Sequence, residues 1–198
     1  SRAGWAYNVV KQTWRKLPFA PDFIDWAEAD SLANEYYLVG GKSSFGNTSD
    51  RPYKFDGYQW EPQPRMNYGR LNAGVKIAGK VLFAIGGQTQ MALATKNGDL
   101  PGTFTNFVEG LSLWGVNRNR WLHTSPLPGY ARSDIAVACV YDELLVFGGY
   151  YVDAAGMSFA QQEEMADADE RLFRRSCADA YRLDSFLNKW RRLPYMPF

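Results

Sequence analysis

Two short segments of the sequence place an arginine beside a tyrosine at matching positions. They read YGRLN at residues 68–72 and YARSD at residues 130–134. Arg70 and Arg132 each lie 16 positions before the first glycine of a Gly-Gly pair. A guanidinium group binds a carboxylate through two parallel hydrogen bonds, and tyrosine offers a large contact area with a polar tip. This chemistry suits recognition of a carboxylate or of a peptide backbone.

The sequence leaves two interpretations of these segments open. In the first, the arginines and tyrosines anchor a ligand. In the second, the arginines join neighbouring structural units or cap the ends of strands. The candidate binding residues are those of the two segments, together with the residues that follow the second and third Gly-Gly pairs: Tyr68, Arg70, Asn72, Gln88, Tyr130, Arg132, Asp134 and Tyr150.

The glycine pairs belong to a repeat that runs along the chain, and a repeat of this length determines the fold. Each pair ends an apolar run, and a tryptophan lies 27 or 28 positions before its second glycine. An aromatic residue lies seven positions before three of the tryptophans and nine before the last one. The members of the pattern are Gly40, Gly41, Gly86, Gly87, Gly148 and Gly149, then Tyr7, Tyr53, Trp114 and Tyr181, and finally Trp14, Trp60, Trp121 and Trp190.

Each unit of the repeat predicts four antiparallel strands. The first two are apolar runs such as LNAGVKIAG and VLFAI, joined by turns at Gly79 and at Asp142-Glu143. The third is an aromatic segment, YKFDGYQW or LWGVNRNRW, in which Asp56-Gly57 matches a two-residue hairpin turn. The fourth follows the tryptophan and ends in prolines, which suit an outer edge strand. Four antiparallel strands per unit, arranged around an axis, form the blade of a β-propeller.

These motifs resemble the kelch repeat family, whose units combine an apolar run ending in Gly-Gly with a tyrosine and a tryptophan. The pattern covers almost the whole chain. The resemblance implies an all-β fold, a kelch-type β-propeller segment of four-stranded antiparallel blades. Glycines at the end of the second strand let adjacent blades approach closely, and the aromatic residues supply buried surface between blades. We therefore predict a structural role for the residues of the repeat.

The repeat divides into one partial blade and three full ones. Residues 1–21 supply only a third and a fourth strand, whereas residues 22–64, 65–128 and 129–198 supply four strands each. The segment FIDWAEADSLAN, which begins the first full blade, is predicted to be a polar, irregular inner strand with helix-like character. Because two inner strands of the partial blade are missing, we expect a larger ring, completed by further sequence of a longer chain or by another subunit.

The connection between the second and third strands varies most in length. From each Gly-Gly pair to the next aromatic member it spans 12, 27 and 32 positions. Loops on a rigid scaffold carry binding, so we expect a partner at the face that bears residues 88–110 and 150–178. In residues 158–175, a capping box and the spacing of apolar residues predict a short amphipathic helix. This helix is either a lid or docking element, or a solvated segment that packs only on its own blade.

Composition limits the partners and the chemistry. The 22 basic and 21 acidic residues give no overall field for nucleic acid, and no apolar run approaches the length of a membrane span. His123 is the only histidine, so the segment lacks the materials for a Ser-His-Asp triad or a histidine-rich metal centre. We predict no catalytic residue, metal or cofactor. Cys139 is expected to pack as a small hydrophobe, while its pairing with Cys177 and the compartment stay open, with a slight preference for the cytoplasm.

These features favour a protein interaction module or scaffold over an enzyme. Some kelch propellers are copper oxidases that use two histidines and two tyrosines, which this segment does not supply, and kelch-type sugar epimerases need no metal. The alternatives are a sugar-active kelch enzyme, epimerase-like or oxidase-like, and a structural subunit of a large assembly. Paired carboxylates in a pocket at the propeller axis would favour the enzyme. A flat rim rich in arginine would favour peptide binding.

Overall fold

The structure is a computed structural model that describes residues 2–22, 24–43, 46–89, 103–116, 118–152, 174–184 and 187–197. These residues form β-strands and no helix, so the predicted all-β class is confirmed. Within the described ranges there is accordingly no helix long and apolar enough to cross a membrane. The helix predicted in residues 158–175 lies outside the described residues except at its last two positions, which belong to a strand instead.

The described residues form twenty strands. Their bounds are β1 (Trp5–Asn8), β2 (Thr13–Lys16), β3 (Ile24–Asp25), β4 (Glu28–Leu32), β5 (Glu35–Val39), β6 (Lys42–Ser43), β7 (Tyr53–Phe55), β8 (Trp60–Pro62), β9 (Gly74–Ala78), β10 (Val81–Ile85), β11 (Gln88–Thr89), β12 (Thr103–Phe104), β13 (Val108–Ser112), β14 (Leu122–His123), β15 (Ala136–Val140), β16 (Glu143–Phe147), β17 (Tyr150–Val152), β18 (Arg174–Ser176), β19 (Ala180–Asp184) and β20 (Lys189–Leu193).

The larger strands form four antiparallel sheets. Sheet 1 contains β1 and β2, sheet 2 contains β4-β5-β7-β8, sheet 3 contains β9-β10-β13-β14, and sheet 4 contains β15-β16-β19-β20. In the last three, spatial order follows chain order, which is the arrangement of a β-propeller-like segment. The pairs β3-β6, β11-β12 and β17-β18 lie beside the Gly-Gly pairs. We call this end of the sheets the loop end, and the end with the turns between first and second strands the turn end.

Left-handed turns join the first and second strands at the turn end. Gly79 and Lys80 have φ angles of 54° and 64°, and Tyr141 and Asp142 have 50° and 61°. Two consecutive positive φ angles are the mark of the type I′ hairpin turn, whose twist matches that of the strands. The turn predicted at Asp142-Glu143 is therefore one residue late, because Glu143 already belongs to β16.

The hairpin between β7 and β8 is longer than predicted. Phe55 pairs with Trp60, so four residues form the loop rather than two. The Asp56 carboxylate accepts hydrogen bonds from the backbone N–H groups of Tyr58 and Gln59, both at 2.8 Å. The aspartate side chain thus closes the loop itself, which a two-residue turn does not need.

The third strand of sheet 3 lies earlier in the chain than predicted. It is β13, and Trp114 follows it in the connecting segment with 65% of its surface exposed. In sheets 2 and 4, Tyr53 and Tyr181 pair with the residue that lies two positions after the tryptophan of the fourth strand. In sheet 3 the residue with this pairing is Glu109. The seven-residue spacing selected Trp114 wrongly because the loop between β13 and β14 is longer than the corresponding loop in sheet 2.

Register also changes the assignment of the aromatic residue in sheet 1. Tyr7 pairs directly with Trp14, whereas Tyr53 pairs two residues beyond Trp60. Trp5, and not Tyr7, is therefore the counterpart of Tyr53. The rings of Tyr7 and Trp14 lie 4.9 Å apart and remain largely exposed.

The polar inner strand predicted at the start of sheet 2 is present as β4, but it is regular, so the predicted irregular and helix-like character is wrong. All five residues of β4 pair with β5. Asp30 on β4 receives the ammonium group of Lys76 at 3.0 Å and the backbone N–H of Ile77 at 2.8 Å. The polar side chains of this strand are thus satisfied by the first strand of sheet 3 rather than by solvent.

The core fills the spaces between sheets. Alternate residues of β10 serve both sides: Leu82 packs toward sheet 2 with Tyr37, and Phe83 packs toward sheet 4 with Leu144. Each large side chain buried in this way stabilises the fold by about 1.5–3 kcal/mol. Cys139 packs against the cluster that contains Phe83 and Leu144, which confirms its predicted role as a small hydrophobe.

Candidate functional site

Arg70 lies in the protein interior at the loop end. Its side chain is 0% exposed and forms an ion pair with Glu109, which is also 0% exposed. Arg70 Nη1 donates to the backbone oxygens of Gly86 and Phe107, each at 3.1 Å. The second oxygen of Glu109 accepts from the backbone N–H and the amide of Asn67 at 2.8 and 2.7 Å. The pair therefore cross-links the start of sheet 3 to its second and third strands.

Arg132 occupies the equivalent position in sheet 4 and is also 0% exposed. Its two Nη atoms lie 2.5 and 3.0 Å from the carboxylate oxygens of Asp179. Further hydrogen bonds run to the backbone oxygens of Gly148 at 3.3 Å and Tyr130 at 3.1 Å. Burial alone raises the pKa of Asp179, but the hydrogen bond and charge of Arg132 outweigh it, so the pKa lies below its ordinary value of 3.8.

The backbone of each arginine also reaches the preceding sheet. The carbonyl oxygen of Arg70 accepts from the N–H of Gly41, and that of Arg132 accepts from Gly87, both at 2.8 Å. A Cβ on Gly86 would lie 2.6 Å from the Arg132 oxygen, so only glycine fits at that φ of 59°. Each arginine thus joins two successive Gly-Gly pairs. The structure supports the bridging interpretation, and the prediction that these guanidinium groups anchor a ligand is wrong for these buried side chains.

The tryptophans of the repeat make a second set of links between sheets. Trp121 Nε1 donates to the backbone oxygen of Pro64 at 2.9 Å, and Trp190 Nε1 donates to Ser125 at 2.8 Å. Trp60 makes the corresponding bond to sheet 1 at 3.3 Å. Each acceptor lies four residues after the preceding tryptophan. Because the outer strands are tied together in this way, the loop end rests on a connected scaffold.

The two predicted tyrosines have different surroundings. Tyr68 stacks on Phe107, with ring centroids 5.1 Å apart. Tyr130 stacks on Tyr151 at 3.9 Å with an angle of only 3° between the ring planes, and 57% of Tyr130 is exposed. Tyr151 pairs with Arg175 across β17 and β18. An exposed, ordered aromatic stack therefore stands at the base of the longest connection.

Gln88 and Tyr150 belong to the interior rather than to a binding surface. They are 8% and 9% exposed, and the Gln88 amide donates to the Tyr150 hydroxyl at 3.1 Å. Their backbones form isolated bridges with Leu71 and Ser133, the residues that follow the two arginines. The structure brings these two predicted residues together, but as a contact between sheets 3 and 4.

Asn72 and Asp134 belong to a set of three residues that precede the first strands. Trp26, Asn72 and Asp134 have φ angles of 55°, 50° and 51°, which non-glycine residues rarely adopt. The N–H of Asn72 donates to Trp26 at 3.3 Å, and that of Asp134 donates to Asn72 at 3.0 Å. These bonds join three sheets where their first strands begin and hold a backbone conformation that costs about 1–2 kcal/mol per residue.

Trp26 and Glu28 are functional candidates that the sequence interpretation missed. Trp26 is 59% exposed, and Lys42 Nζ lies 5.8 Å from its ring centroid. Burial, with a smaller contribution from the charge of Asp134, raises the pKa of Glu28. One signal was present: Trp26 lies 14 positions before its Gly-Gly pair, as Asn72 and Asp134 do before theirs.

We call the exposed and partly exposed side chains at this end the loop-end surface. It includes aromatic rings that are more than half exposed and basic groups close to them. Its members are Trp26, Lys42, Tyr130, Tyr151 and Arg175. Tryptophan, tyrosine and arginine are enriched among the few residues that dominate the binding energy of protein interfaces.

The described ranges hold no cluster of three histidine, cysteine, aspartate or glutamate side chains that could bind a metal ion. Cys139 and Cys177 are free thiols, and burial raises the pKa of each. A raised thiol pKa lowers the thiolate fraction and hence the reactivity. The chemistry offered by the described residues is therefore binding by aromatic and charged groups, together with the Glu28 carboxyl group, whose pKa is raised chiefly by burial.

No protein-family model matches the chain, and no curated protein matches it in sequence. Among solved structures, the chain is similar to the structure of YjhT, with a TM-score of 0.75 and 18% sequence identity. The similarity covers 96% of this chain and 61% of that one, so this chain spans about three fifths of its length. At this level of identity the likeness concerns the fold alone.

Proposed function

We propose that the chain is a kelch-type interaction module that binds a protein partner through the loop-end surface. The observation that carries this proposal is the stacked pair of Tyr130 and Tyr151, of which Tyr130 is 57% exposed. Exposing an aromatic ring to water is unfavourable, and tyrosine is enriched among the residues that dominate binding energy. The pair offers a flat platform at the base of the longest connection.

Rigidity of the surroundings supports the proposal. The Tyr130 backbone oxygen accepts from Arg132 Nε at 3.1 Å, and Arg132 is itself held by Asp179. Tyr151 lies in β17, which pairs with β18. A surface that is ordered before binding loses less conformational entropy on association, so a given contact area yields more affinity.

We expect the partner to place aliphatic or aromatic side chains against the tyrosine stack and acidic groups near Lys42 and Arg175. Both basic residues lie at the loop end, next to Trp26 and Tyr151 respectively. The buried arginines take no part in the contact. Their role is to fix the loop-end surface, because their guanidinium groups are already paired inside the fold.

The test compares two variants of the full-length protein in quantitative affinity capture from cells of its source. The double substitution Tyr130→Ala with Tyr151→Ala removes the stack and is expected to cost about 2 kcal/mol or more of binding energy. That loss corresponds to roughly a thirtyfold weaker Kd. At least one partner should therefore be lost with the double variant and retained with the wild type.

The matched control is Tyr141→Ala at the turn end, where the side chain is 96% exposed. It also removes an exposed tyrosine from sheet 4, but from the opposite end of the sheet. The control is expected to retain the partner, and the double variant is expected to keep the wild-type thermal midpoint. If every captured protein binds the double variant as well as the wild type, the proposal is wrong.

A second candidate, a sugar-active kelch enzyme, is favoured by one observation. The pKa of Glu28 is raised, chiefly by burial and to a smaller extent by the charge of Asp134, close to where three first strands begin. A carboxyl group with a raised pKa next to a second carboxylate is a common arrangement for proton transfer. On this alternative, Glu28 donates or accepts a proton, and its pKa is raised mainly by burial, with a smaller contribution from the charge of Asp134.

Deuterium uptake tests this alternative. Full-length protein is incubated in D2O with unmodified aldoses, and incorporation at carbon is followed by mass spectrometry. An enzyme that moves a proton through Glu28 should incorporate deuterium, and Glu28→Gln should abolish the uptake while Glu61→Gln, in an outer strand, should not. Absence of uptake in the wild type, or equal uptake in both variants, would exclude proton transfer by Glu28.

A further inference from the structure

An ion pair recurs at one position in sheets 2 and 4. In sheet 2, Lys54 Nζ lies 3.0 Å from Glu35 Oε1, and in sheet 4, Arg182 Nη1 lies 3.0 Å from Glu143 Oε2. In both sheets the acid is the first residue of the second strand, and the base lies diagonally opposite on the third strand. Such cross-strand pairs of opposite charge are favourable on the face of a sheet.

Sheet 3 replaces this charged set with uncharged residues. Val81 holds the position of the acid and Gly110 holds the position of the base. In the outer strand Leu122 pairs with Gly110, at the position where sheet 2 carries a second acid, Glu61. Glu61 lies 3.0 Å from the lysine of its own sheet, so three charged side chains in sheet 2 correspond to an apolar set in sheet 3.

A cleft of about 510 Å³ opens over these residues, between sheets 3 and 4 at the turn end. Its walls include Val81, Phe83, Gly110, Leu122 and Leu183, with Asn188 at the rim. The corresponding cleft between sheets 2 and 3 has nearly the same volume, about 520 Å³, but is lined by the charged side chains of its sheet. The two clefts therefore differ in chemistry rather than in size.

Gly110 allows two neighbouring side chains to pack against the backbone of β13 in the wall of the cleft. A Cβ at this position would lie 2.9 Å from Val81 Cγ1 and 3.3 Å from the nearest atom of the Phe83 ring. Glycine inside a strand costs stability and often marks a site where another group approaches the backbone closely. Here the approaching groups are Val81 and Phe83, so apolar side chains form the wall at the position where sheet 2 carries its ion pair.

We propose that this cleft binds a small, uncharged molecule with an aromatic ring. The ring lies between Phe83 and Leu183. Among the described residues that line the cleft, His123 is the only one with an ionisable side chain, and none is a carboxylate, lysine or arginine. The Asn188 carboxamide oxygen accepts from Ser125 N–H at 2.9 Å, which directs its NH₂ group to donate to a polar atom of the ligand. Small-molecule sites typically have volumes of about 300–1,000 Å³, mostly apolar walls and a few polar groups.

This site is independent of the proposed protein interaction, since it lies at the opposite end of the sheets. The probe is indole, an uncharged aromatic molecule with one hydrogen-bonding group, titrated into the full-length protein and followed by ligand-detected NMR. Benzoate serves as the charged probe of comparable size. We expect indole to bind at least about ten times more tightly than benzoate, because burial of a carboxylate among these walls is costly.

Two variants identify the cleft as the site. Leu122→Glu restores an acid at the position of Glu61 and, because Leu122 is 41% exposed, should leave the protein folded. Val140→Glu makes the same change at a residue that is 44% exposed and does not line the cleft. We expect Leu122→Glu to weaken indole binding about tenfold or more and Val140→Glu to leave it unchanged.

Gly110→Ala supplies an independent readout, since its methyl group would collide with Val81 and Phe83 and displace these walls of the cleft, which should also weaken indole binding. The proposal is overturned if millimolar indole does not bind the wild type. It is also overturned if indole binds and Leu122→Glu has no effect, or if Val140→Glu weakens binding as much as Leu122→Glu does.

Discussion

At the scale of single residues, the buried arginines explain why the repeat needs charge in its interior. Arg70 and Glu109 are both 0% exposed; the Nη atoms of Arg70 donate to Glu109 and to two backbone oxygens, and Glu109 also accepts from Asn67. A buried ion pair adds little net stability over an apolar replacement, but removing one member leaves an uncompensated charge. These pairs therefore fix the geometry between sheets rather than provide most of the folding energy.

Arg70→Ala is expected to lower the free energy of unfolding by about 3–5 kcal/mol, because it leaves the Glu109 carboxylate buried without its partner. Denaturant titration at neutral pH measures the change. Arg65→Ala is the matched control, since Arg65 lies 2.6 Å from Asp50 in an ion pair whose side chains are 57% and 36% exposed. The control should unfold at the wild-type denaturant concentration. Equal effects of the two substitutions would contradict the bridging role of Arg70.

Asp179→Asn is expected to change the pH dependence of stability. The folded-state pKa of Asp179 lies below 3.8, so its pair with Arg132 contributes stability that is present above that pH and is lost as pH falls through the folded pKa. The variant should be less stable than the wild type by about 3 kcal/mol at neutral pH. The difference should shrink in acid, as measured by denaturant titration. A difference that is constant with pH would contradict the assigned ion pair.

At the scale of elements, the glycine pairs act through the contacts that their missing side chains allow. Gly79 and Gly86 have similar φ angles, 54° and 59°. A Cβ on Gly79 would meet no atom within 4 Å, whereas one on Gly86 would lie 2.6 Å from the Arg132 backbone oxygen. The conformational cost is thus common to both positions, and the steric cost is confined to Gly86.

Gly79→Ala should therefore lower the free energy of unfolding by about 1–2 kcal/mol, the cost of a left-handed non-glycine residue. Gly86→Ala should lower it by several kcal/mol more, because the backbone link between sheets 3 and 4 has to move. Thermal and denaturant unfolding of both variants measures the difference. If the two substitutions are equally destabilising, close approach of the sheets is not the reason for the second-strand glycines.

Many of the strands could be predicted from the sequence, because apolar runs, glycine pairs and tryptophans mark the positions that are buried. The all-β class and the four-stranded sheets follow from that pattern. The third strand of sheet 3 was misplaced because Glu109, an acid, occupies the aromatic position, and only the register with β14 reveals this. The arginines were found from spacing, yet their burial depends on Glu109 and Asp179, which lie 39 and 47 residues further along the chain.

At the scale of the whole molecule, sheet 1 differs from the others in having two strands. Its rings are largely uncovered, with Trp5 58%, Tyr7 45% and Trp14 66% exposed. By register, β1 corresponds to a third strand, so its inner edge is where a second strand pairs in the other sheets. An unpaired edge with exposed aromatic residues promotes association with another chain.

A polypeptide limited to residues 1–198 is therefore expected to self-associate as its concentration rises. Sedimentation velocity over a range of concentrations measures this, and the double substitution Trp5→Glu with Trp14→Glu should shift the distribution toward monomer. Val116→Glu is the control, because Val116 is 93% exposed in another sheet's connection. A wild-type polypeptide that stays monomeric throughout would contradict the assignment of sheet 1 as an open edge.

The two ends of the sheets have separate roles in this account: the loop end binds a protein partner, and the turn end carries the apolar cleft. Hydrogen–deuterium exchange of the full-length protein, alone and with its captured partner, tests the first role most directly. The account predicts slower exchange in residues 130–134 and 150–152 on binding, with no change at Gly79, Lys80, Tyr141 and Asp142. Protection confined to those turn-end residues would contradict it.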